Sequence, residues 1–282
     1  MRSRVPMQTV TLVIAALAIA GCTAAPGSSS PAQSSVTSSV PSAASSGGTL
    51  TVFAAASLRA AFEEAATAYQ LAAGVTLTLS LDASSALRTQ IEQGAPADVF
   101  ASADTRNAQA LVDAGLVDSE LVPFAGNELT LIVPAGNPAG IETPADLAGD
   151  DVRIIAAGEE VPITQYAVQA VAALGELDGY PTDFAAAYEA NVVSREDNVA
   201  AVRTKIELGE GYAAIVYVTD AIASGRMVEQ LDLPAEAQIP ATYAAVVVGA
   251  SGQREAGRAF LDWLIGTEGQ AILDSYGFTP VP

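Results

Sequence analysis

From Thr49 onward, short strand-like apolar runs alternate with segments whose apolar residues recur at helical spacing. That alternation restricts the chain to an α/β body built mostly of parallel strands. Thr49 to Ala54 reads as the first strand. Leu58, Phe62, Ala65, Ala66 and Tyr69 then share a helical face, with Gly74 near the helix end. Strands are expected at 75–81, 98–101, 153–156, 190–193, 213–217 and 242–248, with an apolar run at 129–133. Helices are expected after 84, where Leu87 and Ile91 share a face, and at 105–114, 163–174 and 198–208. Thr143-Pro144-Ala145-Asp146 has the residues of a helix start, and two closing helices carry Phe260, Trp263 and Leu264. The chain crosses between two lobes near 130 and near 245 in this reading, and the crossings form a hinge.

The segment before Thr49 has a different character. Arg2 and Arg4 precede an apolar run from about Val10 to Ala20, the layout of a bacterial export signal, and the run is short for a membrane span. Its end, Leu17-Ala18-Ile19-Ala20-Gly21-Cys22, resembles a lipobox, so cleavage is expected before Cys22, leaving a lipidated cysteine. The alternative is an ordinary secretory signal that happens to contain a cysteine. Residues 1–21 are thus expected to be a lipoprotein signal peptide. Residues 22–48 read as the lipidated cysteine and a flexible Ser/Pro/Ala tether, too poor in bulky apolar groups to offset ordering entropy. Such a tether holds the folded body about 30 Å from the membrane, placing the protein outside the cytoplasm on a lipid anchor.

Composition removes several function classes. Cys22 is the only cysteine, so no disulfide can form within one molecule. The net charge of −20, which becomes −22 when Arg2 and Arg4 leave with the signal, argues against nucleic-acid binding. With no histidine, the Ser-His-Asp and Cys-His catalytic arrangements and the usual zinc sites are excluded. The adjacent carboxylates Asp150-Asp151 and Glu159-Glu160 read as solvated turn charges.

Four places share one feature, a strand that ends in a small or polar residue where a helix begins, which is where parallel α/β folds bind ligands. The first is Ala54-Ala55-Ala56-Ser57, with Ser57 read as helix N-cap, and the second is Asp82-Ala83-Ser84-Ser85. The third is Val161-Pro162-Ile163-Thr164, and the fourth is Glu196-Asp197-Asn198-Val199, where Asp197 or its neighbour caps the helix. Tyr217, at the end of its strand, adds a phenol. Taken singly, each is ordinarily only a cap. Together they offer hydroxyls and free backbone N–H groups to an anion.

Val52-Phe53-Ala54-Ala55-Ala56-Ser57-Leu58, the run from Gln90 to Asp104 (QIEQGAPADVFASAD), Ile215-Val216-Tyr217 and Tyr276-Gly277-Phe278 extend this order of features. In them the sequence resembles the periplasmic molybdate-binding proteins of ABC transporters, over nearly all of Thr49 to Phe278. The resemblance implies a bilobal, periplasmic-binding-protein-like (type II) α/β fold, two lobes joined by two crossing strands. Lobe I is expected over 49–130 plus 246–282 and lobe II over 131–245. It also implies that Ser57, Ser84 and Tyr217 bind a dehydrated tetrahedral oxyanion through their hydroxyls. Backbone donors are expected near Ile163 and Asn198, where smaller or apolar residues are familiar in the family. The Asn198 side chain either enters the site, or points to solvent or bonds locally.

The implied ligand is molybdate or tungstate, bound as an oxyanion with no cofactor and no direct metal ligand. The implied partner is an ABC transporter permease, and a monomer is expected. Overall negative charge does not forbid this, since at 0.15 M salt the field fades over about 8 Å and helix N-termini act locally. Three other readings compete: a receptor for sulfate, thiosulfate or another small oxyanion, an adhesion or structural lipoprotein, and an exported serine-dependent enzyme. The enzyme would need Lys205, the only lysine, as its base. The reading adopted is a binding protein, not an enzyme.

Overall fold

A computed structural model describes residues 48–281. The signal over 1–21, Cys22 and all but the last residue of the tether lie outside the described residues.

The first part of the chain lays down a sheet with its helices. β1 (Thr49–Ala55) runs through a 3-10 turn (Ala56–Leu58) into α1 (Arg59–Ala73), which Gly74 ends in the left-handed conformation at φ 71°. β2 (Thr76–Asp82) leads to α2 (Ser84–Glu92), β3 (Val99–Ser102) to α3 (Thr105–Asp113), and β4 (Val122–Asn127) follows. The apolar residues expected on α1, Phe62, Ala65 and Tyr69, are buried.

The chain then enters a second lobe. β5 (Leu129–Pro134), a 3-10 turn (Pro144–Ala148) and β6 (Ile154–Ala157) lead to α4 (Pro162–Gly175) and α5 (Phe184–Ala190). β7 (Val192–Glu196), α6 (Val199–Glu207), β8 (Ala214–Tyr217), α7 (Val218–Ser224) and β9 (Val228–Asp232) complete it. β10 (Ala241–Val247) returns to the first sheet, and α8 (Arg254–Leu264) and α9 (Thr267–Ser275) close the chain.

The first sheet has the order β2-β1-β3-β10-β4, and β1 pairs in parallel with both β2 and β3. In the second lobe β8-β5-β9 is antiparallel and β6-β7 parallel, with a bridge from Ile154 to Ala213 joining the two. The chain end returns to the first lobe, where Thr279 exchanges backbone hydrogen bonds with Gly126 at 2.7 and 3.0 Å.

Four expectations change. The strands are not mostly parallel, because β10 runs against β3 and β4 while β5 runs against β8 and β9. β4 and β5 flank the first crossing, and β9 and β10 flank the second. The second crossing lies between Asp232 and Ala241, not near 245, because the whole apolar run of β10 is inserted between β3 and β4. Thr143-Pro144-Ala145-Asp146 starts only a 3-10 turn, although Asp146 does accept from the Thr143 N–H at 2.8 Å. Finally, β4, β9, α5 and α7 have no counterpart in the sequence reading.

Candidate functional site

Strand ends from both lobes meet around one small cavity. The first lobe contributes Ala55, Ala56, Ser57, Ala83, Ser84 and Ala103, and the second contributes Val161, Pro162, Ile163, Asn198, Val199 and Tyr217. All five residues singled out from the sequence, Ser57, Ser84, Ile163, Asn198 and Tyr217, are therefore brought together. The cavity encloses about 210 Å³ of atom-free space, its mouth included. The space open to the centre of a water-sized sphere is only about 10 Å³, so the cavity has room for a small species and not for a drug-sized molecule.

The serines are not helix caps, as the sequence had suggested for Ser57. Ala55 takes the N-cap position of the turn that contains Ser57, and Ala83 that of α2, whose first residue is Ser84. With no cap to make, both hydroxyls have other partners. Ser84, 1% exposed, accepts from the Ala103 N–H at 3.0 Å. Its own proton remains to be donated. Ser57 Oγ lies 2.9 Å from the hydroxyl of Tyr243.

Tyr217 closes the inner side of the cavity. It ends β8, is 1% exposed, and its ring packs edge-on to those of Tyr243 and Tyr166 at 5.7 and 6.3 Å. Its hydroxyl has no hydrogen-bond partner among the described residues. Burial, with smaller contributions from neighbouring groups led by Tyr243, holds its pKa well above the ordinary tyrosine value. It is therefore a neutral donor with a proton to give.

Helix starts supply the rest. Pro162 opens α4, as expected, wasting no donor, and leaves the Ile163 N–H in a first turn without an intrahelical acceptor. Asn198, not Asp197, caps α6, its Oδ1 accepting from the Ala201 N–H at 3.0 Å. Its Nδ2 donates across the cleft to Asp82 Oδ1 at 2.9 Å. The side chain thus serves as cap and as a tie between lobes at once. Arg106, donating to Gln165 Oε1 at 3.0 Å, makes a second tie. The sequence reading missed Asp82 as a latch, and it missed Tyr243 and Asn127 behind Ser57. Their partners lie 186 and 116 positions apart along the chain, and no local pattern signals that.

Lys205 does not line the cavity that holds Ser57 and Ser84. It pairs with Glu196 at 2.8 Å, and that hydrogen bond raises its pKa above the ordinary lysine value, the reverse of what a general base needs. Among the described residues no cluster of three or more His, Cys, Asp or Glu side chains could hold a metal ion. Nor, among them, is any helix long and apolar enough to cross a membrane.

Two α/β lobes closed on a small cavity lined by neutral donors define a two-lobed binding protein. Residues 50–279 match the family model described as bacterial extracellular solute-binding protein. The molybdate-binding protein ModA of Mycobacterium tuberculosis is 33% identical over 270 residues, 95% of this chain and 96% of that one. Among solved structures, the periplasmic molybdate-binding protein of Azotobacter vinelandii superposes with a TM-score of 0.70 at 23% identity, covering 83% of this chain and 99% of that one. The sulfate-binding protein SubI of M. tuberculosis gives 0.74 at 24% identity, covering 83% and 87%. These two likenesses concern the fold. The chain belongs to the bacterial extracellular solute-binding protein family.

Proposed function

We propose that this protein captures molybdate or tungstate outside the cytoplasm and delivers it to the permease of an ABC importer. The observation that carries the reading is the unpartnered, buried hydroxyl of Tyr217 at a cavity shared with Ser57 and Ser84. A buried donor without an acceptor costs about 1–3 kcal/mol, and an incoming oxyanion removes that cost. The relatives named as molybdate-binding proteins support the choice of ligand.

In this reading the hydroxyls of Ser57, Ser84 and Tyr217 and the first-turn N–H groups of α4 and α6 hold the anion. About seven such bonds at roughly 1.5 kcal/mol each give a gross of about 10 kcal/mol, more than micromolar binding needs. Lobe closure and desolvation of the anion oppose it. The donors also select, because a fully deprotonated oxyanion satisfies all of them, whereas the hydrogen of a protonated phosphate obliges a hydroxyl to accept where it would otherwise donate. The ligand is bound and released without chemistry, no cofactor takes part, and the protein acts as a monomer held to the membrane through lipid on Cys22.

Tyr217→Phe tests the site. It is expected to weaken molybdate binding about tenfold, the loss of one hydrogen bond to a charged ligand. Unchanged affinity in a variant that folds would remove Tyr217 from the site.

A further inference from the structure

Behind the cavity wall, Ser57 is the last member of a chain of hydrogen bonds whose direction can be worked out. Asn127 and Tyr243 are both buried. Asn127 Oδ1 accepts from the Glu128 N–H at 3.0 Å, which fixes the amide and makes Nδ2 the donor end. One Nδ2 hydrogen goes to Thr219 Oγ1 at 2.9 Å, and the other to the Tyr243 hydroxyl at 3.3 Å. An amide nitrogen cannot accept, so Tyr243 receives from Asn127 and has its own proton to place.

Ser57 Oγ, 2.9 Å away, is the other partner of that hydroxyl among the described residues. Were Ser57 the donor, Tyr243 would accept twice and its own proton would be buried without an acceptor, an arrangement folded proteins avoid. With Tyr243 donating to Ser57, both Asn127 amide hydrogens and the Tyr243 proton have acceptors. The Ser57 proton is then left over on a residue that lines the cavity.

We propose that Asn127 and Tyr243 are positioning residues. They fix one direction along Asn127, Tyr243 and Ser57, so that Ser57 is held as a donor to an oxyanion in the cavity. This rests on the oxyanion reading above. Ser84 acquires the same polarity from the Ala103 N–H, so the two serines are set as donors by different means, one by the backbone and one by buried side chains. Neither Asn127 nor Tyr243 lines the cavity, so the hydrogen-bond chain reaches it through Ser57, while the Tyr243 ring also packs on that of Tyr217, a contact that Tyr243→Phe retains.

The test is a double-mutant cycle of molybdate affinity by calorimetry on wild type, Ser57→Ala, Tyr243→Phe and the double variant. Tyr243→Phe is expected to weaken binding about three- to tenfold in the wild-type background and to have no effect once Ser57 is alanine. Equal losses in both backgrounds, or no loss in wild type, would overturn the proposal, since a residue that only packs gives one of those results. If circular dichroism shows Tyr243→Phe unfolded, the cycle is run with Asn127→Leu, for which the same two patterns decide. Silence of the wild-type protein toward molybdate, tungstate and sulfate alike would overturn the oxyanion reading and this inference with it. Binding with additive losses would overturn this inference alone.

Discussion

Tyr217 and Asp220 sit three residues apart, and both are buried with a polar atom left without a partner among the described residues. The two have opposite consequences for stability. The Tyr217 hydroxyl is neutral, so Tyr217→Phe removes an unsatisfied group and is expected to leave the melting temperature of the ligand-free protein unchanged or raise it slightly. A clear drop would mean that the hydroxyl has a structural partner. Asp220 carries a pKa pushed up to about 7 by burial, which outweighs the nearby Arg203 guanidinium. An acid whose folded pKa is raised destabilises the fold as its unfolded form ionises, so stability falls as pH rises from about 4 to about 7 and levels off above. Asp220→Asn is expected to melt like the wild type near pH 4 and at higher temperature at pH 8. Thermal unfolding across that range checks it, and identical pH profiles would exclude Asp220 as the source.

At the scale of elements, α6 joins stability to closure through one residue. Asn198 caps the helix with its oxygen and ties the lobes with its nitrogen. Asn198→Asp keeps the cap but sets a second carboxylate against Asp82. The expected result is a melting temperature near that of wild type with molybdate affinity lowered about tenfold, and Asn198→Ala is expected to lose about 1 kcal/mol of stability with the cap. Equal affinity in Asn198→Asp and wild type would show that the tie does not hold the closed form. The sequence made the strand-helix alternation legible, and with it the strand ends that meet at the cavity, because strand ends and helix starts carry local signals such as Pro162 and Gly74; the choice of Ser57, Ser84, Ile163, Asn198 and Tyr217 among them came from the resemblance to the molybdate-binding proteins. It did not reveal β4, whose Pro123 and Gly126 read as turn residues, nor β9, whose Val-Glu-Gln-Leu-Asp is mostly exposed at a sheet edge. Ser57 also misled, since serine before a helix ordinarily caps it, whereas here a tyrosine distant in sequence takes the hydroxyl.

For the whole molecule, a net charge of −20 faces an anionic ligand. The field of the body slows approach, while the donors in the cavity, shielded from salt, govern retention. Raising sodium chloride from about 10 mM to 150 mM shortens the screening length from about 30 Å to 8 Å, so association with molybdate is expected to speed up severalfold with little change in dissociation. Stopped-flow measurement checks this, and slower association at higher salt would point to a cationic entry route instead. Trp263 does not line the cavity and its indole donates to Glu268 at 2.9 Å, so tryptophan emission is an uncertain reporter of the ligand. Calorimetric titration of the purified protein with molybdate, tungstate and sulfate tests the central claim most directly. One site per chain is expected, with micromolar or tighter affinity for molybdate or tungstate and weaker binding of sulfate; sulfate bound equally well or better would contradict the account.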